Sequence, residues 1–161
     1  MSLVKNLKEH KTIIPLILSV LIISACLLII LYLRSDASKE QENTLIIKTT
    51  KEDIEIKIET ADTASERSRG LMYRDSLCES CGMLFILDSE MITSFWMKNT
   101  YISLDIIFID SNMQIVHIAK NTKTNQIEKT YSSVYPVKYV LEVNANFCLN
   151  NGIEIGDNLE L

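Results

Sequence analysis

The feature that most constrains this chain is an unbroken, uncharged apolar run at residues 13–33. The run is about 20 residues long, and at roughly 1.5 Å per helical residue it can span a hydrocarbon core about 30 Å thick. We therefore predict a single transmembrane helix at residues 13–33, preceded by a cytoplasmic stub at residues 1–12. Everything after the helix must then lie on one side of a membrane.

The charges that flank the run predict its orientation. Three lysines precede it, whereas Arg34 and Lys39 after it are diluted by three acidic residues, Asp36, Glu40 and Glu42. Cytoplasmic flanks carry the excess of lysine and arginine. We therefore expect a single-pass protein of a bacterial cytoplasmic membrane, with its N-terminus inside and the rest of the chain outside the cytoplasm.

Two other interpretations of the N-terminus remain open. The sequence Ile23-Ser24-Ala25-Cys26 resembles a bacterial lipobox, in which Cys26 would carry lipid after cleavage. A cleaved secretory signal is the other alternative, although its apolar core is usually only about 7–15 residues long. The apolar segment at residues 27–33 would follow the lipid directly, where a polar tether is normal, and this favours the uncleaved anchor. All three interpretations deliver the same domain to the same side.

Composition limits the fold and function of the chain after the apolar run. Residues 34–43 are polar and charged without apolar periodicity, which is typical of a short solvated linker. Residues 44–161 leave room for one small domain. The chain carries a net charge of −5, to which residues 1–12 contribute +2 and the linker −1, so the domain carries about −6. Such an acidic domain is a poor candidate for nucleic acid, which demands basic patches. With no glycine-rich phosphate loop, we predict no cofactor.

The domain reads as a series of short strands. Ile54, Ile56 and Ile58 alternate with charged residues, which is the period of a half-buried strand. Thr63 and Glu66 fit a capping box that opens a short helix. Further strands are predicted at residues 45–48, 82–87, 93–97, 104–109, 114–119 and 137–143, with an exposed loop at residues 121–128. This pattern predicts a mainly β domain, either a compact antiparallel β-sandwich or a squat barrel, with one or two short helices.

Several sequence blocks resemble one protein family. They are R-S-R-G-L-M-Y-R at residues 67–74, G-M-L-F at 82–85, F-W-M-K-N-T at 95–100, L-D-I-I-F-I-D at 104–110, Y-S-S at 131–133, Pro136, Y-V-L-E-V at 139–143, and the glycines of G-I at 152–153 and G-D at 156–157. In this order they resemble the bacterial and archaeal family called domain of unknown function 192. The resemblance implies a compact, largely β domain that is often secreted or anchored, and it implies no activity.

One position departs from the family pattern. Asn146 stands where the family usually has a glycine after its Leu-Glu block. Asparagine is the non-glycine residue that best tolerates a left-handed backbone, so we expect the turn to survive.

The cysteine pair Cys78 and Cys81 has three interpretations. Two nearby cysteines outside the cytoplasm usually form a disulfide, and this is the favoured one. A thioredoxin-like redox site would place the first cysteine at a helix N-terminus in a βαβ unit, and no such unit is apparent in the sequence. A zinc site would need Cys148 and His117 as further ligands, at no recognised spacing, so we predict no metal. Cys148 is expected to be a buried thiol.

The strongest candidate for a site lies around the F-W-M-K-N-T block. Glu142 is the lone acid within an apolar strand, and because burial of an unpaired charge is costly, we expect Arg69 or Arg74 to pair with it. The cluster is either a structural polar network or a ligand cleft with an aromatic wall, of the kind that suits peptides or sugars. The candidate ligand-binding residues are Trp96, Asn99, Thr100, Asp105, Glu142, Arg69 and Arg74.

The sequence leads to three hypotheses about function. The favoured one is a non-catalytic binding or accessory module of the cell envelope, with a peptide, carbohydrate or protein partner. A second is an envelope hydrolase that uses Asp105 and Glu142 as a carboxylate pair, which requires the two acids to lie roughly 5–10 Å apart. A third is a scaffold of a membrane complex. No Ser-His-Asp set is available, because His117 is the only histidine after the apolar run.

Overall fold

The structure is a computed structural model that describes residues 22–27, residue 29 and residues 43–161. Residues 22–27 and 29 are helical and exposed. No helix among the described residues is long and apolar enough to cross a bilayer. Most of the predicted span at residues 13–33, the stub at residues 1–12 and the linker up to residue 42 lie outside the described residues.

Residues 43–161 form one compact unit that is mainly β, as the sequence predicts. Within it the elements are β1 Asn43–Lys48, β2 Asp53–Ala61, α1 Ala64–Arg69, β3 Cys81–Met91, β4 Ser94–Trp96, β5 Leu104–Ile109, β6 Ile115–Ala119, β7 Thr130–Ser132, β8 Val137–Asn144, α2 Phe147–Asn150 and β9 Asn158–Glu160. The predicted capping box opens α1, because Thr63 Oγ1 accepts from the amide of Glu66 and a Glu66 carboxylate oxygen accepts from the amide of Thr63.

Seven of these strands form a single sheet in the order β6-β5-β8-β3-β2-β1-β9. Its two outer strands approach each other at one end, where Gln114, next to β6, bridges to Asn158 of β9. Apolar residues of all seven strands also share one buried cluster, so the sheet curls around that cluster. Within the described unit the fold is a curled half-barrel, with β4 and β7 as a separate two-stranded ribbon.

One strand pair departs from the predicted antiparallel arrangement. Strands β2 and β3 are parallel, with Lys57 opposite Cys81 and Ala61 opposite Phe85. Parallel neighbours need a crossover connection, and α1 with the loop after it supplies one. A βαβ unit is therefore present, although none was apparent from the sequence.

The two faces of the curled sheet have different coverings. The inner face packs against Phe147 and Cys148 of α2. The outer face carries a second cluster, built on β3, β5 and β8, that packs against Leu71 after α1 and against Phe95 and Tyr131 of the ribbon. Because α1 and the ribbon cover the same outer face side by side, a groove is left between them.

The segment after β8 holds a short helix that the sequence did not locate. Helix α2 has four residues, too few to show a helical period. Its N-cap, Asn146, has a φ of 66°, which is the left-handed conformation expected for a residue that replaces a glycine.

Candidate functional site

The groove between α1 and β4, which we call the α1–β4 groove, has an outer and an inner part. The outer part, of about 370 Å³, is lined by Ala64, Arg67 and Ser68 on one side and by residues 93–96 on the other. The inner part is a cavity of only about 30 Å³, room for about one water molecule. Ser68, Arg67, Phe95 and Trp96 line both parts, so the two are continuous.

Glu142 lies at the bottom of the inner cavity. Its side chain projects from β8 onto the outer face of the sheet, and the residue is 5% exposed. Among the described residues no group donates to its carboxyl or pairs with it. Burial raises the pKa of Glu142 to about 8. The side chain is therefore a neutral carboxylic acid at neutral pH, with one proton to donate and a carbonyl oxygen to accept.

The prediction that Arg69 or Arg74 pairs with Glu142 is wrong. Arg74 makes a bidentate ion pair with Glu59 of β2, with both nitrogen–oxygen distances at 2.5 Å, and this pairing lowers the pKa of Glu59. Arg69 lines the inner cavity, but its side chain makes no ion pair or hydrogen bond within the part of the chain that the structure describes. Burial of Glu142 is accommodated by protonation instead of by pairing.

Gly70 brings the loop after α1 close to this acid. Its φ of 47° and ψ of −137° belong to a region that only glycine adopts readily. A Cβ at this position would lie 3.1 Å from Phe85 Cζ and 3.9 Å from Glu142 Oε2. A side chain here would both strain the backbone and crowd the cavity, so the glycine keeps the inner cavity open.

Trp96 forms the exposed wall of the groove. The residue is 48% exposed, and the ammonium group of Lys98 lies 5.0 Å from its ring centroid. Phe95 alternates with Trp96 and points inward, where it packs edge-on against Phe85. The structure thus brings Trp96, Arg69 and Glu142 to one cavity, together with the buried Thr100.

Asn99 lines neither part of the groove, although Thr100 next to it lines the inner cavity. Its carbonyl oxygen accepts from the amide of Tyr73 at 2.7 Å, and its side-chain nitrogen donates to the Tyr73 hydroxyl at 2.7 Å. Both residues have positive φ, 54° for Asn99 and 64° for Tyr73. These two bonds join the loop after α1 to the loop after β4. A further pocket of about 300 Å³, which Tyr73 lines, shares Arg69, Gly70 and Met72 with the inner cavity.

Asp105 does not belong to this site. In the pairing of β5 with β8, Ile106 lies opposite Glu142 and Asp105 lies opposite Val143. Because side chains alternate between the faces of a strand, Asp105 points to the inner face and Glu142 to the outer face. The two acids cannot flank one substrate bond, and the geometry that a carboxylate-pair hydrolase needs is missing.

Asp105 instead satisfies backbone donors in the inner core. The residue is fully buried, and its two carboxylate oxygens accept from the amides of Asn121, at 2.9 Å, and Cys148, at 3.1 Å. Asn146 makes no side-chain cap to α2, so Asp105 caps this helix from a neighbouring strand.

The cysteines and the histidine also lie outside the groove. Cys78, in the loop before β3, forms a disulfide with Cys81, the first residue of that strand. Neither cysteine lies at a helix N-terminus, which a thioredoxin-like redox site would need. Cys148 is a buried free thiol, and burial together with the Asp105 carboxylate raises its pKa. Cys26 is free and exposed. His117 stacks on Phe108 and lines neither part of the groove.

Sequence reasoning missed the residues that make this site a groove. Ser68, Gly70 and Tyr73 contribute through their position beside β4, which no local pattern reveals. The capping box at Thr63 predicts the helix that carries Ser68, but nothing in it predicts which face of the sheet the helix covers.

Comparison with known proteins identifies relatives of similar size. A family model described as "Uncharacterized ACR" (DUF192) matches residues 45–161. A solved structure of a protein of unknown function from Novosphingobium aromaticivorans is 31% identical, with a TM-score of 0.71, over 73% of this chain and 84% of that protein. A putative transcription regulator from Sinorhizobium meliloti is 36% identical, with a TM-score of 0.70, over 73% and 91% respectively. No curated protein gives a significant match.

Proposed function

This chain belongs to the domain of unknown function 192 family, and on that basis we propose that residues 43–161 form a non-catalytic binding module of the cell envelope. Residues 13–33 would hold the module at the outer face of the cytoplasmic membrane. The observation that carries the binding role is Glu142, a buried acid without a partner among the described residues, at the bottom of a groove that an exposed tryptophan walls.

The chemistry of the lining favours recognition over catalysis. Arg67 and Arg69 are the other titratable residues that line the groove, so no second acid or histidine stands near Glu142 to share a proton. General acid–base catalysis needs a group that takes or gives a proton in step with a partner or a positioned water. A single neutral acid can instead donate one hydrogen bond to a polar ligand while Trp96 covers its apolar face.

The charge of the lining also indicates the class of ligand. The groove carries a neutral acid and two arginines, of which Arg67 is already paired with Asp88, within a domain whose net charge is about −6. This favours an uncharged or anionic peptide or carbohydrate of the envelope. The Sinorhizobium relative is described as a putative transcription regulator, but an acidic domain with a narrow groove does not offer the basic surface that DNA needs.

We expect Ser68→Leu to abolish ligand binding. Ser68 is exposed on α1 and lines both parts of the groove, so leucine would fill the groove at little cost in stability. The full chain in detergent would be immobilised and incubated with the peptides and glycans of a digested envelope fraction, and retained molecules would be identified by mass spectrometry. Retention should fall at least about tenfold, since a blocked groove forfeits most of its contacts.

Ser65→Leu is the matched control. Ser65 is exposed on the same helix and lines neither part of the groove, so this variant should retain the wild-type set of molecules. Equal retention by the wild type and both variants would contradict the binding module and would favour the scaffold hypothesis.

Membrane topology is a separate prediction. Protease added to intact spheroplasts should degrade residues 43–161, and the undigested protein should stay with the membrane after a carbonate wash. An epitope placed before Lys5 should remain protected and serve as the internal control, because the lysines of the N-terminal segment are expected to stay inside. Protection of the domain together with loss of the N-terminal epitope would reverse the orientation.

A further inference from the structure

One edge of strand β4 is unpaired and faces the groove. Ser133 donates its amide to the carbonyl of Thr93, so in the pairing with β7 the hydrogen bonds fall at Thr93 and Phe95. In an antiparallel pair, the residues between them direct their N–H and C=O groups to the other side. Those residues are Ser94 and Trp96, whose amides and carbonyls have no partner within residues 43–161. An edge of this kind is a template for an added strand.

The groove beside this edge has the dimensions of a short peptide segment. Its outer part is lined by α1 and by residues 87 and 93–96, with no residue of β7, so it lies along the unpaired edge of β4. Its volume of about 370 Å³ leaves room for a short extended segment. A slot between a helix and a strand edge is the setting in which an extended peptide adds to a sheet.

The two ends of the groove differ. At the inner end, the groove narrows to the cavity of about 30 Å³, which is too small for a peptide unit to pass, so a bound chain has to stop there. At the outer end, the ribbon continues to Ile92 and Val134, whose side chains are exposed. A peptide can therefore enter over these apolar residues, but only a chain terminus fits the closed end.

The charges at the closed end determine which terminus of a peptide, amino or carboxyl, can bind there. Arg69 lines the inner cavity and is unpaired among the described residues, and Glu142 supplies a neutral hydrogen-bond donor beside it. A guanidinium and a carboxylic acid complement a carboxylate, whereas an ammonium would meet a cation. The 30 Å³ cavity admits only a group of about the size of a methyl.

We propose that the α1–β4 groove binds the free carboxyl terminus of an extended peptide that ends in a small residue. The peptide adds to β4 as a parallel strand, bonds Ser94 and Trp96 through its backbone, and places its terminal carboxylate at Arg69. This inference rests on the proposed binding role and specifies its ligand.

The test uses the fluorescence of Trp96, the single tryptophan of the chain, in the full-length protein in detergent. The probe is an acetylated five-residue peptide of alternating valine and threonine that ends in alanine, with a free carboxylate. We expect saturable binding, and affinity should fall roughly tenfold or more when the carboxylate is replaced by a carboxamide. Arg69→Gln should lower the affinity for the peptide with a free carboxylate by a similar factor and leave the affinity for the carboxamide peptide unchanged.

Two controls distinguish binding of the peptide as an added strand from non-specific electrostatic attraction. Lys123→Gln removes one positive charge outside both parts of the groove, and it should not alter the affinity for the acid. N-methylation of the peptide amides that face β4 should abolish binding, whereas methylation of the alternate amides should not, because only one set joins the ladder.

The outcomes distinguish this inference from the binding role itself. Equal affinities for acid and amide, or no effect of Arg69→Gln, would overturn recognition of a carboxyl terminus. A second outcome is that no such peptide binds, while Ser68→Leu still abolishes retention of an envelope glycan. This would overturn the inference that the ligand is a peptide and would leave the proposed binding role intact. If no peptide binds and Ser68→Leu has no effect on retention, both proposals are overturned.

Discussion

We expect Glu142→Gln to stabilise the protein by on the order of 3 kcal/mol at pH 7, and to have almost no effect at pH 4. The pKa of Glu142 rises from 4.5 in the unfolded chain to about 8 in the fold, because the folded environment desolvates the carboxylate. Glutamine has nearly the shape of the protonated acid but never ionises, so it removes this cost.

The direction of the pH dependence follows from proton binding. Below about pH 4.5 the carboxyl is protonated in both states and contributes no difference. Between about pH 4.5 and about pH 8 the unfolded chain releases a proton that the folded chain keeps, so a rise in pH favours unfolding. Above about pH 8 both states are ionised, and the penalty reaches its limit.

Urea unfolding of the full chain in detergent at several pH values, followed by the fluorescence of Trp96, would measure this difference. The other carboxylates are common to both proteins, so the gap between the two free energies of unfolding isolates Glu142. Glu55→Gln is a matched control, because Glu55 is an exposed acid on β2 and its loss should not change the shape of the profile. A constant gap between Glu142→Gln and the wild type from pH 4 to pH 8 would contradict a buried, neutral Glu142.

The same residue shows where inference from the sequence stops. An acid inside an apolar strand is visible in the sequence, and the conclusion that it needs some compensation is sound. Whether the compensation is a cation or a proton depends on which side chains the chain crossover brings near. Arg74 reaches Glu59 on β2 instead, and that choice is made by the path of the chain after α1.

The sequence could not show whether Asp105 and Glu142 lie on the same face of the sheet, for a similar reason. Both lie in apolar strands, and only the register of β5 against β8 decides whether they share a face. A shift of one residue reverses every side chain of a strand, and no local pattern fixes that register between strands that are distant in sequence.

Features that depend on neighbours in sequence were predictable. The alternation of Ile54, Ile56 and Ile58 gives β2, and the capping box gives α1. The predicted elements also stood in the order strand, helix, strand from β2 through α1 to β3, although no βαβ unit was recognised in them. This order implies a parallel pair, because a helical crossover returns a strand in the same direction. The prediction of an antiparallel sheet did not take this order into account, and it is wrong for β2 and β3.

The second large effect is expected for Asp105→Ala, which should destabilise the protein by roughly 3 kcal/mol or more. Asp105 is fully buried, and its carboxylate accepts from the amides of Asn121 and Cys148. Alanine leaves both amides buried without an acceptor, and each such loss costs about 1–3 kcal/mol. Asp105→Asn keeps one oxygen but turns an NH₂ group toward the other amide, so its cost should be intermediate. Urea unfolding of the three proteins in parallel would measure this order.

Local hydrogen exchange would show that the loss arises from the cap. In Asp105→Asn the amides of Asn121 and Cys148 should exchange faster than in the wild type, whereas amides of β2 should change only as much as the global stability does. Binding at the α1–β4 groove should persist in the folded fraction, because Asp105 points to the opposite face of the sheet. A stable Asp105→Ala protein that has lost binding would contradict this assignment, since it would make Asp105 part of the site instead of the core. The two acids thus perform separate tasks on opposite faces of adjacent strands: Asp105 holds α2 in place as a hydrogen-bond acceptor, and Glu142 presents a proton to the groove.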